Sequence, residues 1–314
     1  MPTSDAPELR QDPISGRWVV IAPERGRRPS AQESPATAHA RGATSNGNCP
    51  FCPGHEHETP PEVAARRDPG TPPDAPGWRT RVIPNKYAAL LPEGDALPER
   101  DGIYARMEGV GAHEVIIESP EHARELSELP VERIAEVLEM CRDRARRHAS
   151  DPRVRYVIPF KNYGHAAGAS QEHSHMQLLA TPVIPNVARE ELEHCERHFT
   201  ERGSCPFCDL IAHERASRAR VVTTSEAFLA VAPYASRFAN ESWILPLRHE
   251  GSFTACERPE LDALAAILQD LLGRVRRTLH RPAYNFLIHS APARTLLPWY
   301  HWHMELVPKL SAAS

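Results

Sequence analysis

What this 314-residue chain lacks narrows its role before any motif is read. It has no charge excess: 37 basic against 41 acidic residues leave a formal charge of −4. A dedicated nucleic-acid surface would need a basic stripe or helix, so that class is not expected. It has no long apolar run. Nothing approaches the roughly 20 residues that span a bilayer, and no short apolar core of a secretory leader is found, so neither membrane nor export is expected. It also has no even set of cysteines. Seven is an odd number, and in the reducing cytoplasm, the expected compartment, disulfides are not the default. The length suffices for two domains, or one large one with a sizeable core.

What is there begins with those cysteines. Four of them form two identical tetrapeptides, Cys49-Pro50-Phe51-Cys52 and Cys205-Pro206-Phe207-Cys208. Cys141, Cys195 and Cys256 stand alone. Cys141 shares a helical face with Ile134, Val137 and Leu138, so it reads as a core thiol.

The duplicated tetrapeptide prompts a search for a repeat. After the first come VIIESPEH ending at His122, a helical pattern from Val131 to His148, the strand-like VRYVIPF (Val154–Phe160), a small-residue loop and His173-Ser174-His175. After the second come FLAVAP (Phe228–Pro233), WILPLRH ending at His249, a helical pattern from Pro259 to His280, YNFLIH (Tyr284–His289) and His301-Trp302-His303. His122 to His173 is 51 residues and His249 to His301 is 52, but Cys52 to His122 is 70 against 41 for Cys208 to His249. The first half therefore carries an insertion, expected in the Pro-rich segment between Pro53 and Trp78.

Each half offers a Cys₂His₂ set, the preferred tetrahedral surroundings of Zn²⁺. The first is Cys49, Cys52, His122 and His173; the second is Cys205, Cys208, His249 and His301. Two zinc ions per chain are expected, with iron an alternative in the second site. Four protein ligands leave no open position, so both sites read as structural. A lone CxxC can also be a redox pair, but here each is followed by two ordered histidines. His55, His57 and His113 compete as first-site ligands. His113 ranks lower because His249 has no such partner upstream.

In GASQEHSHMQLL (Gly168–Leu179) His173, His175 and Gln177 alternate. On a strand they share one face, and Ser174 and Met176 take the other. Metal uses His173 and leaves His175, whose neutral imidazole is a nucleophile toward phosphorus. Gln177 is a neutral donor for a phosphate oxygen. The small residues of GHAAGAS (Gly164–Ser170), Gly168 among them, let backbone N–H groups approach a phosphate, and Ser170 adds a hydroxyl. In the second half His303 is followed by Glu305. A carboxylate would repel phosphate, so no nucleophilic chemistry is expected there.

HSHMQ resembles the HxHxQ signature of the galactose-1-phosphate uridylyltransferase branch of the histidine-triad superfamily. DPISGRWVVIAPERGRRP (Asp12–Pro29), VIPNKYAAL (Val82–Leu90), SPEH (Ser119–His122) and FKNYGHAAGAS extend the likeness over nearly the whole chain. The resemblance implies an α+β fold of two histidine-triad-like halves, each an antiparallel sheet with a packed helix, fused into one continuous sheet. Residues 1–190 would hold HxHxQ and the first metal site, and residues 191–314 the second. It implies a homodimer and a ping-pong reaction: a nucleoside monophosphate passes from a nucleotide sugar, UDP-glucose or ADP-glucose, to His175 and then to a phosphate acceptor. Gln177 and Ser170 would contact the transferred phosphate, and Arg25, Arg28, Asn85, Asn162 and Gly168 the nucleotide. Uridylyl transfer to a hexose 1-phosphate is the family default; adenylyl transfer to inorganic phosphate, as in an ADP-sugar phosphorylase, is the alternative.

A non-enzymatic nucleotide-binding protein would have no need of the second HxHxQ histidine aimed at the α-phosphate, and a zinc-finger nucleic-acid module would need a basic helix after each CxxC. The chain departs from the family at its end, eleven residues after His303. The short tail after Leu310 is expected to be disordered and too short for a sugar pocket. Galactose 1-phosphate is accordingly expected to be a poor acceptor, unless another segment, the Pro-rich stretch between Pro53 and Trp78 or a partner subunit, has taken over its recognition.

Overall fold

The computed structural model describes residues 6–27, 49–122 and 124–310. Its elements follow the hydrophobic periods closely. The four-residue spacing of Leu264, Leu268 and Leu272, with Leu261, Ile267 and Leu271, buries one face of a helix that runs Arg258–Thr278. It starts at Pro259-Glu260, where the Glu257 backbone N–H donates to the Glu260 carboxylate at 3.1 Å. Its counterpart in the first half is Val131–Ala149, buried along Ile134, Val137, Leu138 and Cys141. These two are α1 (Val131–Ala149) and α4 (Arg258–Thr278). Between them lie α2 (Asn186–Arg202) and α3 (Pro206–Ser217). No helix among the described residues is long and apolar enough to cross a membrane.

The strands are β1 (Glu8–Gln11), β2 (Trp18–Ile21), β3 (Ala64–Arg67), β4 (Trp78–Pro84), β5 (Glu99–Asp101), β6 (Tyr104–Glu108), β7 (Ala112–Ile117), β8 (Tyr156–Tyr163), β9 (His175–Thr181), β10 (Val221–Thr224), β11 (Phe228–Val231), β12 (Ser242–Pro246), β13 (Ala283–His289) and β14 (His303–Lys309). Among the described residues ten of them form one antiparallel sheet in the order β10-β11-β12-β14-β13-β8-β9-β7-β4-β3. The order reads outward from β8 and β13 in the same sequence on both sides. The sheet is thus two five-stranded halves joined where Asn162 pairs with Asn285. The four remaining strands make a small sheet, β2-β1-β6-β5.

α1 and α4 pack side by side on one face of the large sheet. Their apolar stripes share a core with Met176, Phe286, Ile288, Met304 and Leu306 from the central strands. Each fully buried aliphatic side chain there contributes about 1.5–3 kcal/mol of transfer free energy. Because one face is committed to this core, alternation along β9 and β14 delivers the other residues to the opposite face. That is what presents His175 and Gln177.

Three expectations shift. The insertion is not mainly between Pro53 and Trp78. The first half takes 34 residues from Trp78 to Ala112 where the second takes 14 from Phe228 to Ser242. The extra chain is the stretch holding β5 and β6; β6 pairs with β1 and β5 pairs with β6, which builds the small sheet. Proline richness marked a loop but not the added structure. His122 and His249 lie in the turns after β7 and β12 rather than closing those strands, and β9 begins at His175, so His173 stands just ahead of it. Finally, residue 190 falls inside α2.

Candidate active site and metal centres

His175 opens β9 on the face away from the helices, and Met176 turns into the core. The His175 Nδ1–H donates to the His173 carbonyl at 2.8 Å. A carbonyl can only accept, so the proton is fixed on Nδ1 and the lone pair lies on Nε2. Phe51, the third residue of the first CPFC, meets the His175 ring edge-on with centroids 5.5 Å apart. His175, Gln177, Ser170, Asn85 and Phe51 line one cavity of about 520 Å³.

The backbone behind His175 is tied down from the core side. The buried Lys161 ammonium of β8 donates to Glu118 (2.7 Å), Ser174 Oγ (2.9 Å) and the His175 carbonyl (3.3 Å). Ser174 Oγ in turn donates to Glu118 at 2.6 Å. Lys161 and Glu118 have no exposed side-chain surface. They compensate each other, and together they fix the register of the His173–His175 segment.

The loop leading into this segment makes a single 3₁₀ turn at His165–Ala167 and leaves it through Gly168 at φ +85°. A side chain there would be strained, and its Cβ would stand 3.9 Å from Asn162 Nδ2. Asn162 itself is held across the junction of the halves, since Asn285 Nδ2 donates to Asn162 Oδ1 at 2.7 Å and to the Ala167 carbonyl at 2.9 Å. It lines an adjoining cleft with Phe160 and His289 rather than the His175 cavity. Asn85 sits beside Gln177, its Nδ2 3.4 Å from Gln177 Oε1. Arg25 is one layer further out: its guanidinium donates to the Tyr87 carbonyl at 2.8 Å. Arg28 lies outside the described residues, as does the tail after Leu310.

Both expected metal sets assemble. In the first, Cys52 Sγ is 3.3 Å from His122 Nδ1 and 3.6 Å from His173 Nδ1, and Cys49 Sγ is 3.6 Å from His173 Nδ1. In the second, Cys208 Sγ is 3.3 Å from His249 Nδ1 and 3.7 Å from His301 Nδ1. Sulfur and nitrogen on one tetrahedral ion of ordinary bond lengths stand about 3.5 Å apart, so the donors fit. The second-layer bonds fit as well. His173 Nε2 donates to the Ser119 carbonyl (2.8 Å) and His301 Nε2 to the Pro246 carbonyl (2.9 Å), turning both Nδ1 lone pairs toward the cysteines. Burial lowers His173 and His301 to about 4, which keeps them neutral as ligands must be. Burial pushes Cys49 and Cys208 up to about 12. A redox CxxC has a depressed thiol instead; here only a bound cation would favour the thiolates. His113, the weaker competitor, is not part of this group.

A third constellation was not foreseen. Glu191 of α2, His289 and His303 bring three potential ligand atoms within 4.8 Å of one another. His303 occupies the position of His175 in the second half, and its Nδ1 likewise donates to the carbonyl two residues back, that of His301, at 3.2 Å. Its surroundings differ. Glu305, at the position of Gln177, ion-pairs with Arg237 and faces His289 Nε2 at 3.6 Å. Burial opposes ionisation of Glu305, but His289, His303 and Arg237 outweigh it and hold the carboxyl at about 2. Glu191 carried no local signal in the sequence. His289 ended a strand-like run but had no motif around it.

Comparison with known proteins agrees with this geometry. The family described as "Galactose-1-phosphate uridyl transferase, N-terminal domain" matches residues 1–185. An ADP-glucose phosphorylase from Arabidopsis thaliana is 35% identical over 98% of this chain and 86% of its own length. A galactose-1-phosphate uridylyltransferase from Thermotoga maritima is 25% identical over 96% of this chain and 86% of its own. Among solved structures, the Arabidopsis thaliana ADP-glucose phosphorylase with bound ADP-glucose superposes with a TM-score of 0.75 at 33% identity, covering 98% of this chain and 91% of that one. A uridylyltransferase superposes at 0.78 with 26% identity, covering 96% and 86%. The sequence, the paired half-sheets and the HxHxQ strand agree: this chain belongs to the galactose-1-phosphate uridylyltransferase family of nucleotidyltransferases.

Proposed function

We propose that the chain transfers a nucleoside monophosphate from a nucleotide sugar to a phosphate acceptor through His175. The observation that carries this is the hydrogen bond from His175 Nδ1 to the His173 carbonyl, which leaves Nε2 as the nucleophile at the cavity wall. Nε2 attacks the α-phosphorus, an N–P bond forms, and the P–O bond to the sugar 1-phosphate breaks. The acceptor phosphate oxygen then attacks the same phosphorus and releases Nε2. Gln177 and Ser170 donate to the phosphate oxygens. Asn85, Asn162, Gly168, Arg25 and Arg28 hold the nucleotide.

Two zinc ions per chain, the second replaceable by iron, would be held by the two Cys₂His₂ sets. Such a closed site supplies structural cross-linking rather than an open coordination position. The first would secure both His173 and Phe51 against the nucleophile. We read residues 1–190 as the half bearing the reaction and residues 191–314 as its partner, in a cytoplasmic homodimer.

The family reading makes the donor UDP-glucose and the acceptor a hexose 1-phosphate. The second reading, adenylyl transfer from ADP-glucose to inorganic phosphate, is favoured by the higher identity to the plant ADP-glucose phosphorylase, 35% against 25% for the Thermotoga maritima enzyme. Incubation with UDP-glucose or ADP-glucose and no acceptor, followed by peptide mass analysis of residues 168–179, tests the shared step. Absence of a nucleotidyl adduct with both donors, or full turnover by His175→Ala, overturns it. Turnover with galactose 1-phosphate against inorganic phosphate then separates the two readings.

A further inference from the structure

Gln177 can serve a phosphate only if its amide is turned the right way. A glutamine side chain is nearly symmetric in shape, and its two ends carry opposite polarity. In the cavity one end must donate. Something must therefore hold the oxygen end away from the phosphate.

The residue that does so is His113. It lies on β7, where Val115 pairs with Gln177 and His113 pairs with Leu179. His113 is thus the diagonal neighbour of Gln177 on the same face, within reach of its side chain. His113 is buried, and its Nε2 stands 2.9 Å from Gln177 Oε1. Its other nitrogen determines what Nε2 carries. The Ala89 backbone N–H points at His113 Nδ1 at 3.0 Å, and an amide N–H can only donate. Nδ1 is therefore the acceptor, and the ring proton sits on Nε2. Arg25 Nη1, a second donor, is 3.4 Å from the same Nδ1 and reinforces that tautomer. Nε2–H then donates to Gln177 Oε1. Asn85 Nδ2 stands 3.2 Å from His113 Nε2 and 3.4 Å from Gln177 Oε1. The Asn85 oxygen accepts from the Tyr87 N–H, so this nitrogen is a donor too, and of the two only Oε1 can accept from it. With two donors on Oε1, the Gln177 NH₂ is the end left for the cavity.

We infer that His113 is a positioning residue for nucleotidyl transfer: by donating from Nε2 it fixes the Gln177 amide as a phosphate donor. This rests on the proposed role of His175 and Gln177. The second half is an internal contrast. Its residue corresponding to His113 is Glu241, just ahead of β12, and the residue corresponding to Gln177 is Glu305. Arg237 bridges the two. There the sheet face is organised around a carboxylate, and here around an oriented amide.

Two substitutions separate positioning from mere packing, because each keeps one half of the ring's bonding. His113→Asn places an acceptor near Nδ1 for Ala89 but has no donor reaching Gln177. His113→Gln places a donor near Nε2 but gives up the Ala89 bond. A packing role makes His113→Gln the more damaged enzyme. A positioning role makes His113→Asn the more damaged one, with turnover reduced about 10- to 100-fold and thermal stability close to that of the parent, while His113→Gln recovers most of the rate.

The experiment is a cycle of His113→Asn, Gln177→Ala and the double variant. It is read by turnover of UDP-glucose and ADP-glucose and, independently, by calorimetric binding of UMP and AMP to the full chain. Expected is a double variant no worse than Gln177→Ala, within about twofold, in both readouts. Losses that multiply, or a His113→Asn protein that binds and turns over like the parent, overturn the inference, as does failure of the parent to bind either nucleotide. If the parent binds nucleotide but forms no adduct on His175, the catalytic reading falls, while the binding cycle still reports whether His113 orients Gln177.

Discussion

Asn285 of β13 donates its amide to Asn162 of β8 at 2.7 Å, across the seam where the two half-sheets meet. The C-terminal half thereby orients a residue proposed to contact the nucleotide in the N-terminal half. The same Asn285 amide reaches the Ala167 carbonyl in the loop before HxHxQ.

Loss of this bond should be felt as nucleotide recognition. A neutral hydrogen bond is worth about 0.5–1.5 kcal/mol net, so Asn285→Ala should raise the KM for the nucleotide sugar about 2- to 10-fold with a smaller change in kcat. Steady-state kinetics with thermal melting as a control checks it. An unchanged KM with a lowered melting temperature would assign Asn285 to the seam alone.

The two metal sets should be unequal in their effect on activity. Cys49→Ser and Cys205→Ser should each remove one equivalent of metal per chain by elemental analysis. Each should also lower thermal stability, since such sites contribute on the order of 10 kcal/mol in apparent free energy in small zinc domains. Only the first set abuts the nucleophile, through His173 and through Phe51, 5.5 Å from the His175 ring. Cys49→Ser should therefore cut turnover at least about tenfold, and Cys205→Ser much less at temperatures where it remains folded.

These relationships show where the sequence was informative. The metal sets were legible because CxxC and HxH are local motifs that occur twice in one order. The helices α1 and α4 were legible from their apolar period, to within two residues at each end, whereas α2 and α3 were not foreseen. The partners of the site residues were not. Lys161 directly follows the strand-like run Val154–Phe160, and β8 extends through it; its partner Glu118 is 43 residues away. Asn285 meets Asn162 at a separation of 123 residues, and His113 meets Gln177 at 64. Such contacts depend on strand order and register, which periodicity leaves open. The location of the insertion was misjudged because β5 and β6 are short and polar and carry little signal of their own.

The buried Lys161–Glu118 pair predicts an asymmetric response. Lys161→Met leaves the Glu118 carboxylate without its cation in the core, and unfolding in denaturant should show a loss of about 3–5 kcal/mol. Adding Glu118→Gln removes the stranded charge and should recover a large part of that loss. Activity should recover less than stability, because the Lys161 bond to the His175 carbonyl is not replaced. Equal recovery of both would mean the pair serves folding only.

Acid stability should depend on Glu114. Burial alone would raise its pKa, but His148 and Arg144 outweigh burial and hold the carboxyl below its ordinary value of 4.5. A depressed carboxyl contributes stability that is present above the unfolded-state pKa and is lost as pH falls through the folded one. Denaturation midpoints should therefore decline from about pH 5 downward, and the decline should be shallower in Glu114→Gln. Parallel pH profiles for the two proteins would remove Glu114 from the acid response.

The last prediction uses the chain's own second half as a control for the first. Glu305 tolerates its charge because Arg237 and His289 face it. Among the described residues Gln177 meets no such cation at its amide oxygen: its partners there are His113 Nε2 and Asn85 Nδ2, and Arg25 lies on the far side of the His113 ring. In Gln177→Glu the new carboxylate would confront the transferred phosphate without compensation, replacing a donor by a like charge. Turnover should fall about 10²- to 10³-fold, the usual cost of losing a transition-state donor, and the protein should stay folded because the change is isosteric. Glu305→Gln should leave transfer at His175 nearly intact while unpairing Arg237, and so should show its effect in melting rather than in rate. A Gln177→Glu enzyme with near-parental turnover would mean that the amide is not a phosphate donor, and the orientation imposed by His113 would then need another purpose.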